Sequence, residues 1–294
     1  MVGNNRFRIE IFSGYTMLAA VSFFGCASRK PAWIDLKNGV VLEYRMPEKE
    51  ALRYRTSSHM IQTTKFGEQS MVTRMDNWNV LSMLSKGKEG DGLRIHVTVD
   101  SARMDIQSPA GNMSTDMGSI IGKGFDMTVS SLGKEIDVSE AANLKYNLGP
   151  SGERTLGSEF QTFFEDLPVK PLKQGDTWTS ADTLNVDQAG TKMTLLFNNL
   201  NTFQAVEKVQ GLNCVRIQTE STGTMNGSGE QGGAKFDISG TIKASGTWHF
   251  AVQEGILVKA STEATTESSI QISGPQTMTL PMTMIVKGDK TVLR

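Results

Sequence analysis

The residues that could carry catalytic or metal chemistry are few and lie far apart in the sequence. The three histidines, His59, His96 and His249, have no partner at the His-x-x-x-His spacing of many zinc sites. The chain also has no Cys-x-x-Cys pair, no Gly-x-Ser-x-Gly elbow and no Gly-x-x-x-x-Gly-Lys phosphate loop. These patterns predict a protein that is not an enzyme and that uses neither a metal nor a cofactor.

The acidic residues leave one enzymatic alternative open. Asp76, Asp100, Asp105 and Glu263 could pair in space, as the two carboxylates of a hydrolase do. Nothing in their spacing singles out two of them, and such acids usually lie on a solvated sheet face. A hydrolase with an unrecognised site is therefore a third hypothesis, after the two described below.

The first 25 residues have the features of a secretory signal peptide. Arg6 and Arg8 precede an apolar stretch over residues 11–25 that is too short and too mixed to span a membrane as a helix. The stretch ends in Phe23-Phe24-Gly25-Cys26, which resembles a bacterial lipobox except that Phe23 replaces the usual Leu. We expect Cys26 to be acylated and to become the mature N-terminus, which would attach the protein to a membrane.

Two further features bear on the compartment. Ala27 and Ser28 are not acidic, which favours transfer to the outer membrane, on its periplasmic or surface face; the alternative is ordinary cleavage that releases a soluble secreted protein. Acylation of Cys26 would leave Cys214 as the one other cysteine, so no internal disulfide is expected. Cys214 lies in a β-like apolar run and is predicted to be a small buried hydrophobic residue.

The overall charge excludes one large class of partner. Lys and Arg total 30 against 31 for Asp and Glu, and the formal net charge is −1. Proteins that bind nucleic acid usually carry a strongly basic face, so none is expected here. Hydrophobic residues make up 38% of the chain and recur throughout it, which argues against intrinsic disorder.

Alternating polarity predicts β-strands along most of the chain. Apolar residues alternate with polar ones from Leu93 to Val99 and over the sixteen residues 235–250, with Gly240 and Gly246 on the apolar face where a strand could bend. Pro281 in the last strand predicts an edge strand or a bulge. The expected fold is mainly β, with antiparallel sheets that form a barrel, a half-barrel or a sandwich.

The strands fall into two groups. We predict a tether over residues 26–39, a first β half over 40–138, a linker of two short helices over 139–171 and a second β half over 172–294. An offset of 122 residues aligns Met71–Leu81 with Met193–Phe203, which suggests an ancient duplication. The few identities leave chance similarity as the alternative.

Four features together resemble envelope lipoproteins of bacteria such as the Bacteroidota, a family with no assigned activity. They are the lipobox at Cys26, the β halves, the aromatic segment that ends in Leu167-Pro168, and the sequence Gly175-Asp176-Thr177-Trp178. The resemblance implies an envelope location and a β fold rather than a chemistry. A looser, architectural likeness is to half-barrel lipoproteins that handle lipids.

Methionine provides the candidate binding residues, because its flexible side chain lines adaptable apolar pockets as well as filling cores. The candidates are Met71, Met75, Met127, Trp248, Met282 and Met284. The first hypothesis is a lipid-anchored, non-enzymatic protein that binds a hydrophobic or lipid ligand in a β cavity. The alternative is a structural lipoprotein that docks envelope proteins or glycans through Thr/Ser faces, which include Thr262, Thr265, Thr266, Ser268 and Ser269. The sequence leaves the oligomeric state open.

Overall fold

The computed structural model describes residues 38–109, 111–115, 117–148, 152–188, 190–231, 233–273 and 277–294. The predicted signal peptide 1–25, the lipobox with Cys26 and most of the predicted tether 26–39 lie outside the described residues. No helix in the described part of the chain is long and apolar enough to cross a membrane.

Strands make up most of the described residues. They are β1 (Leu52–Phe66), β2 (Gln69–Glu89), β3 (Gly92–Ser108), β4 (Gly111–Thr115), β5 (Gly124–Ser130), β6 (Glu135–Asp137), β7 (Lys145–Asn147), β8 (Glu153–Thr155), β9 (Thr177–Gln188), β10 (Thr191–Val209), β11 (Leu212–Gln231), β12 (Ala234–Ala251), β13 (Ile256–Ser273) and β14 (Met278–Leu293). Two short 3₁₀ helices, Ser139–Asn143 and Gly157–Phe160, lie in the segment predicted to be helical, where β7 and β8 separate them.

Twelve of these strands form one antiparallel sheet. Their order is β6-β5-β3-β2-β1-β14-β13-β12-β11-β10-β9, and β4 pairs with β3 beside β5. β7 and β8 form a separate two-stranded ladder. The mainly β prediction is confirmed, and the sheet is not closed into a barrel because β6 and β9 are its two ends. Strands from both predicted halves belong to this one sheet.

The predicted run of sixteen alternating residues is found in β12. Close approach of the neighbouring strand explains why one of its positions, 240, is glycine. A Cβ atom on Gly240 would lie 2.5 Å from Cβ of Ser268 and 2.7 Å from the carbonyl oxygen of Glu267, both on the neighbouring strand β13. β13 therefore approaches β12 too closely at this point for any side chain larger than hydrogen.

The expectation for Pro281 needs correction. It lies in β14, which is an internal strand between β1 and β13. Pro281 pairs with Ser269 on β13, but the pairing with β1 ends at Met282, one residue away. Proline is tolerated here because β1 has no partner opposite it that would need its missing N–H.

The main core lies on one face of the sheet, which we call the inner face and which carries Tyr54, Trp248 and Phe250. Residues 139–148 and 152–172, here named the cover segment, and residues 40–46 pack against this face. The rings of Phe160 and Phe125 lie 4.7 Å apart, and Tyr44 contacts both Phe164 and Phe250 edge-on at 5.1 Å. Such aromatic pairs stabilise the fold by more than the burial of their apolar surface alone.

Truncation of this aromatic core tests its role in stability. We expect Phe250→Ala to lower the free energy of unfolding by about 3–5 kcal/mol, because Phe250 is fully buried and its removal leaves a cavity. Urea denaturation of the purified protein measures the effect. The control is Leu200→Ala, at a 45% exposed residue, which should change stability by about 0.5 kcal/mol or less. Equal effects of the two substitutions would contradict this assignment of the core.

Candidate functional site

A cleft of about 650 Å³ lies on the inner face beside the main core. Its apolar lining comes from strands near both ends of the strand order. It includes Met75, Met104, Leu184, Val186, Met193 and Val286. β3 and β9 are eight places apart in the strand order, yet both contribute to it. The sheet must therefore curve strongly, so that its inner face becomes concave. We call this space the inner cleft.

The cover segment completes the lining of the inner cleft with Tyr146, Leu148, Glu159, Phe160 and Phe163, among others. It closes that part of the concave face with aromatic rings, and it places one carboxyl group and one phenol there. The strands supply polar residues as well, including Asn77 and Asn79, so the cleft combines an apolar surface with a few polar groups, as ligand sites in proteins commonly do.

Two sets of contacts hold the cover segment on the sheet. The side-chain amide of Gln161 donates to the carbonyl oxygen of Asn185 at 2.9 Å and accepts from the N–H of Asn185 at 2.8 Å. On β14, the ammonium of Lys290 donates to the carbonyl oxygen of Phe163 and lies 4.2 Å from the centre of its ring. Because Asn185 is on the edge strand β9, the cover segment bridges the end of the sheet and its middle.

Burial raises the pKa of several acids around the cover segment. Loss of hydration raises the pKa of Glu159 to about 7, opposed by a 3.5 Å hydrogen bond that the Tyr146 hydroxyl donates. Burial also raises the pKa of Glu135 to about 7, although the N–H of Phe164 donates to its carboxylate at 2.9 Å. The pKa of the Lys290 ammonium is lowered by burial, and Glu165 and Glu135 oppose that shift.

The sequence-predicted binding residues are dispersed over the inner face. Met75 lines the inner cleft. Met127 and Trp248 are buried in the main core, and Met282 belongs to a second, smaller core with Met225, Ile238 and Ile242. Met284 is half-buried, whereas Met71 is 39% exposed near the turn between β1 and β2. Whether any of them contacts a ligand stays a prediction.

Cleft residues that sequence reasoning missed include Leu184, Val186 and Met193, on β9 and β10, and Asn77 and Asn79, on β2. Their alternation identified β-strands, but only the curvature of the sheet brings β9 and β10 close to β2. The alignment of Met71–Leu81 with Met193–Phe203 does place the two asparagines in a shared pattern, and this was the available signal.

The structure agrees with the predicted burial of Cys214, but it does not agree with the prediction that Thr266 belongs to an exposed Thr/Ser face. Cys214 is buried, and burial raises the pKa of its thiol to about 11, which makes it a poor nucleophile. Thr266, however, is not part of an exposed surface. It is 3% exposed, because it lies on the inner face opposite Met284 of β14.

Each histidine forms a hydrogen bond with a carboxylate. The pairs are His59 with Asp76 at 2.7 Å, His96 with Asp126 at 2.6 Å, and His249 with Glu207 at 2.5 Å. The three histidines lie on three different strands and alternate with residues of the inner face, so they lie on the outer face. Within the described ranges, no group of three or more His, Cys, Asp or Glu side chains could hold a metal ion.

A larger cleft of about 900 Å³ lies where the cover segment leads into β9. Residues 166–172 and 175–181 supply most of its lining, with Leu132 and the exposed Lys134 opposite them. Much of this lining is loop, whereas strands form most of the inner cleft. Sites on strands hold their geometry more closely than sites on loops, so the inner cleft is the better candidate.

No protein-family model matches the chain, and no curated protein matches it. Among solved structures, it is similar to a Bacteroides fragilis protein with a YmcC-like fold that is assigned as exported, at 12% identity and a TM-score of 0.25. That match covers 86% of this chain and 98% of the other. The β domain of the Bordetella autotransporter BrkA matches at 9% identity and a TM-score of 0.24, over 83% of this chain and 100% of that one.

The pKa of Glu159 gives a pH prediction. The carboxyl holds its proton in the folded state up to about pH 7 but loses it near 4.5 when unfolded, so stability should fall as pH rises between these values. We expect Glu159→Gln to remove part of this fall, on the order of 1–3 kcal/mol at pH 8, and to have little effect at pH 4.5.

Urea denaturation across this pH range measures the effect. Glu153→Gln is the matched control, because Glu153 is exposed and pairs with Lys145 on the neighbouring strand β7. A Glu159→Gln profile parallel to that of the unaltered protein would contradict the prediction.

Proposed function

We propose that this protein is a lipid-anchored protein of the bacterial cell envelope that binds a hydrophobic ligand without chemical conversion. The observation that carries the binding role is the inner cleft. Its volume of about 650 Å³ falls within the roughly 300–1,000 Å³ of small-molecule sites, and Met75, Met193 and Val286 give its strand walls an apolar surface.

The fold supports this role because the cleft is built into a continuous hydrogen-bonded sheet. Met75 and Val286 project from strands that pair along most of their length, so the apolar wall is in place before a ligand arrives. A preformed wall avoids the entropic cost of ordering side chains on binding. Met75 and Met193 can still adjust their shape, since methionine has three rotatable side-chain bonds.

The anchor is the second part of the proposal, and it rests on the sequence around Cys26. Two acyl chains bury enough methylene groups, at about 0.8 kcal/mol each, to hold a protein on a bilayer stably. An anchored protein stays at a membrane, which is a source of apolar ligands in the envelope.

Substitution of Cys26 tests the anchor. In a bacterial host with an outer membrane, we expect Cys26→Ser to move the protein from the membrane fraction to the soluble envelope fraction. Intact-mass measurement should show that the variant lacks the acyl groups of the unaltered protein. The same fractionation for both proteins, or a mature N-terminus beyond residue 26 in the unaltered protein, would contradict lipidation.

Blocking the cleft tests the binding role. Val286 lines the inner cleft, and its neighbour Lys287 lies on the outer face with a 60% exposed side chain. We expect Val286→Trp to weaken binding of the apolar dye Nile red at least about tenfold, which corresponds to ~1.4 kcal/mol, because the indole occupies the cleft. Fluorescence titration of the purified protein measures the dissociation constant.

Lys287→Trp is the matched control, since it adds the same side chain one residue away on the opposite face. It should leave dye binding unchanged. Equal weakening by both substitutions would show that the dye binds elsewhere. If the unaltered protein binds no apolar dye, the docking role in the envelope becomes the better hypothesis.

A further inference from the structure

Two asparagines of the inner cleft lack hydrogen-bond donors. Asn77 and Asn79 lie two residues apart on the inner face of β2, and both line the cleft. Within the described residues, no donor lies within hydrogen-bonding distance of the buried Oδ1 atom of either side chain. Asn79 is only 5% exposed, so its side chain has little contact with bulk water. Buried acceptors without a donor are rare and costly in proteins.

The second half of the chain contains the same pair of side chains with their donors present. The 122-residue offset places Asn77 on Asn199 and Asn79 on Asn201, which lie on the inner face of β10. The hydroxyl of Ser221 donates to Oδ1 of Asn199 at 2.6 Å. The hydroxyl of Thr219 donates to Oδ1 of Asn201, also at 2.6 Å. Both acceptors are therefore satisfied by aliphatic hydroxyl groups from the neighbouring strand β11.

The difference between the halves lies in the neighbouring strand. Thr219 and Ser221 stand opposite the asparagines of β10, but Ala102 and Met104 stand opposite Asn79 and Asn77 on β3. Alanine and methionine cannot donate a hydrogen bond of this kind. On the other side of β2, Thr56 and Ser58 of β1 stand opposite Asn79 and Asn77, but neither hydroxyl donates to these Oδ1 atoms. The first half thus keeps the two amides and lacks the hydroxyls on the β3 side, where the pair faces the inner cleft.

We propose that Asn77 and Asn79 form a subsite for the head group of an uncharged, hydroxyl-bearing amphiphile, whose hydroxyls take the place that Thr219 and Ser221 have in the second half. The inference rests on the proposed function and specifies its ligand class. A glyceride with one acyl chain has the required chemistry, because it combines two free hydroxyl groups with an apolar tail.

The position of the subsite fits an amphiphile. Asn79, Asn77 and Met75 follow one another along the inner face of β2, so the polar pair is next to the apolar wall. Val286 and Met193 continue that wall on β14 and β10. A head group at the asparagines would direct its chain along the methionine and valine side chains.

The charges around the cleft favour an uncharged head group over a carboxylate. The ammonium of Lys290 already donates to the carbonyl oxygen of Phe163 and lies 4.0 Å from a carboxylate oxygen of Glu165. Arg154 also lines the cleft, and the charges of Arg154 and Glu159 both act on Tyr146. An anionic head group would therefore meet cations that have acidic neighbours, whereas hydroxyls suit the two amide acceptors directly.

Competition with Nile red tests the ligand class on the full-length protein. The competitors share an eighteen-carbon chain and differ in the head group: 1-monooleoylglycerol, oleic acid and octadecene. We expect 1-monooleoylglycerol to compete at least about tenfold more strongly than the other two, because it alone supplies two hydroxyls to the asparagines. Equal competition by all three, or strongest competition by oleic acid, would overturn the subsite.

A pair of substitutions at Ala102 tests the residues themselves. Ala102→Thr places a hydroxyl opposite Asn79, as Thr219 stands opposite Asn201, and should weaken 1-monooleoylglycerol binding about tenfold. Ala102→Val is the matched control, because valine has the shape of threonine without the donor. Ala102→Val should keep the preference for 1-monooleoylglycerol, whereas Asn79→Leu should remove it, so that 1-monooleoylglycerol competes no more strongly than octadecene.

The outcomes separate this inference from the proposed function. If the dye and all three competitors fail to bind, both are overturned. If they bind and Val286→Trp blocks them, but Ala102→Thr and Ala102→Val behave alike, the cleft is confirmed as an apolar site and the asparagine subsite is overturned.

Discussion

The inner face of the large sheet extends beyond the segment that covers it, and the rest of the structure depends on this mismatch. β10 to β13 contain 18 to 20 residues each, which at about 3.4 Å per residue corresponds to roughly 60 Å. The cover segment has only two 3₁₀ helices and a short ladder with which to bury their inner face. The main core forms where the cover segment packs, and beyond it the inner face remains available as the wall of a cleft.

The main core can form only if the cover segment is held on the inner face of the sheet. Its aromatic residues Phe160, Phe163 and Phe164 are buried, but a short segment without regular helices gains little from its own backbone hydrogen bonds. Side chains on the sheet compensate for this, with Lys290 bonded to a main-chain carbonyl and Glu135 to a main-chain N–H. Burial of these charged groups is tolerable because opposite charges lie nearby, and their pKa values shift as a consequence.

The two halves of the sheet differ in how the polar residues of their inner faces are hydrogen-bonded. In β9 to β12 the inner polar residues bond to one another, as Trp248 does with Thr219 and Asn199 with Ser180 and Asp182. In β1 to β3 the corresponding asparagines face a cleft, and no neighbouring side chain donates to their Oδ1 atoms. A satisfied polar network makes one half self-sufficient, whereas the other half keeps hydrogen-bonding capacity that a bound molecule can use.

The sequence by itself determined the β class, the long alternating strand 234–251 and the burial of Cys214, because these depend on period and on local composition. It also contained the asparagine pattern at the 122-residue offset. It did not determine that the sheet stays open, that β14 is internal, or that Met127 and Trp248 are core residues while Met75 lines a cleft. Those outcomes depend on which strands pair and how far the sheet curves. Alternation assigns a residue to a face, but only long-range pairing decides what lies opposite that face.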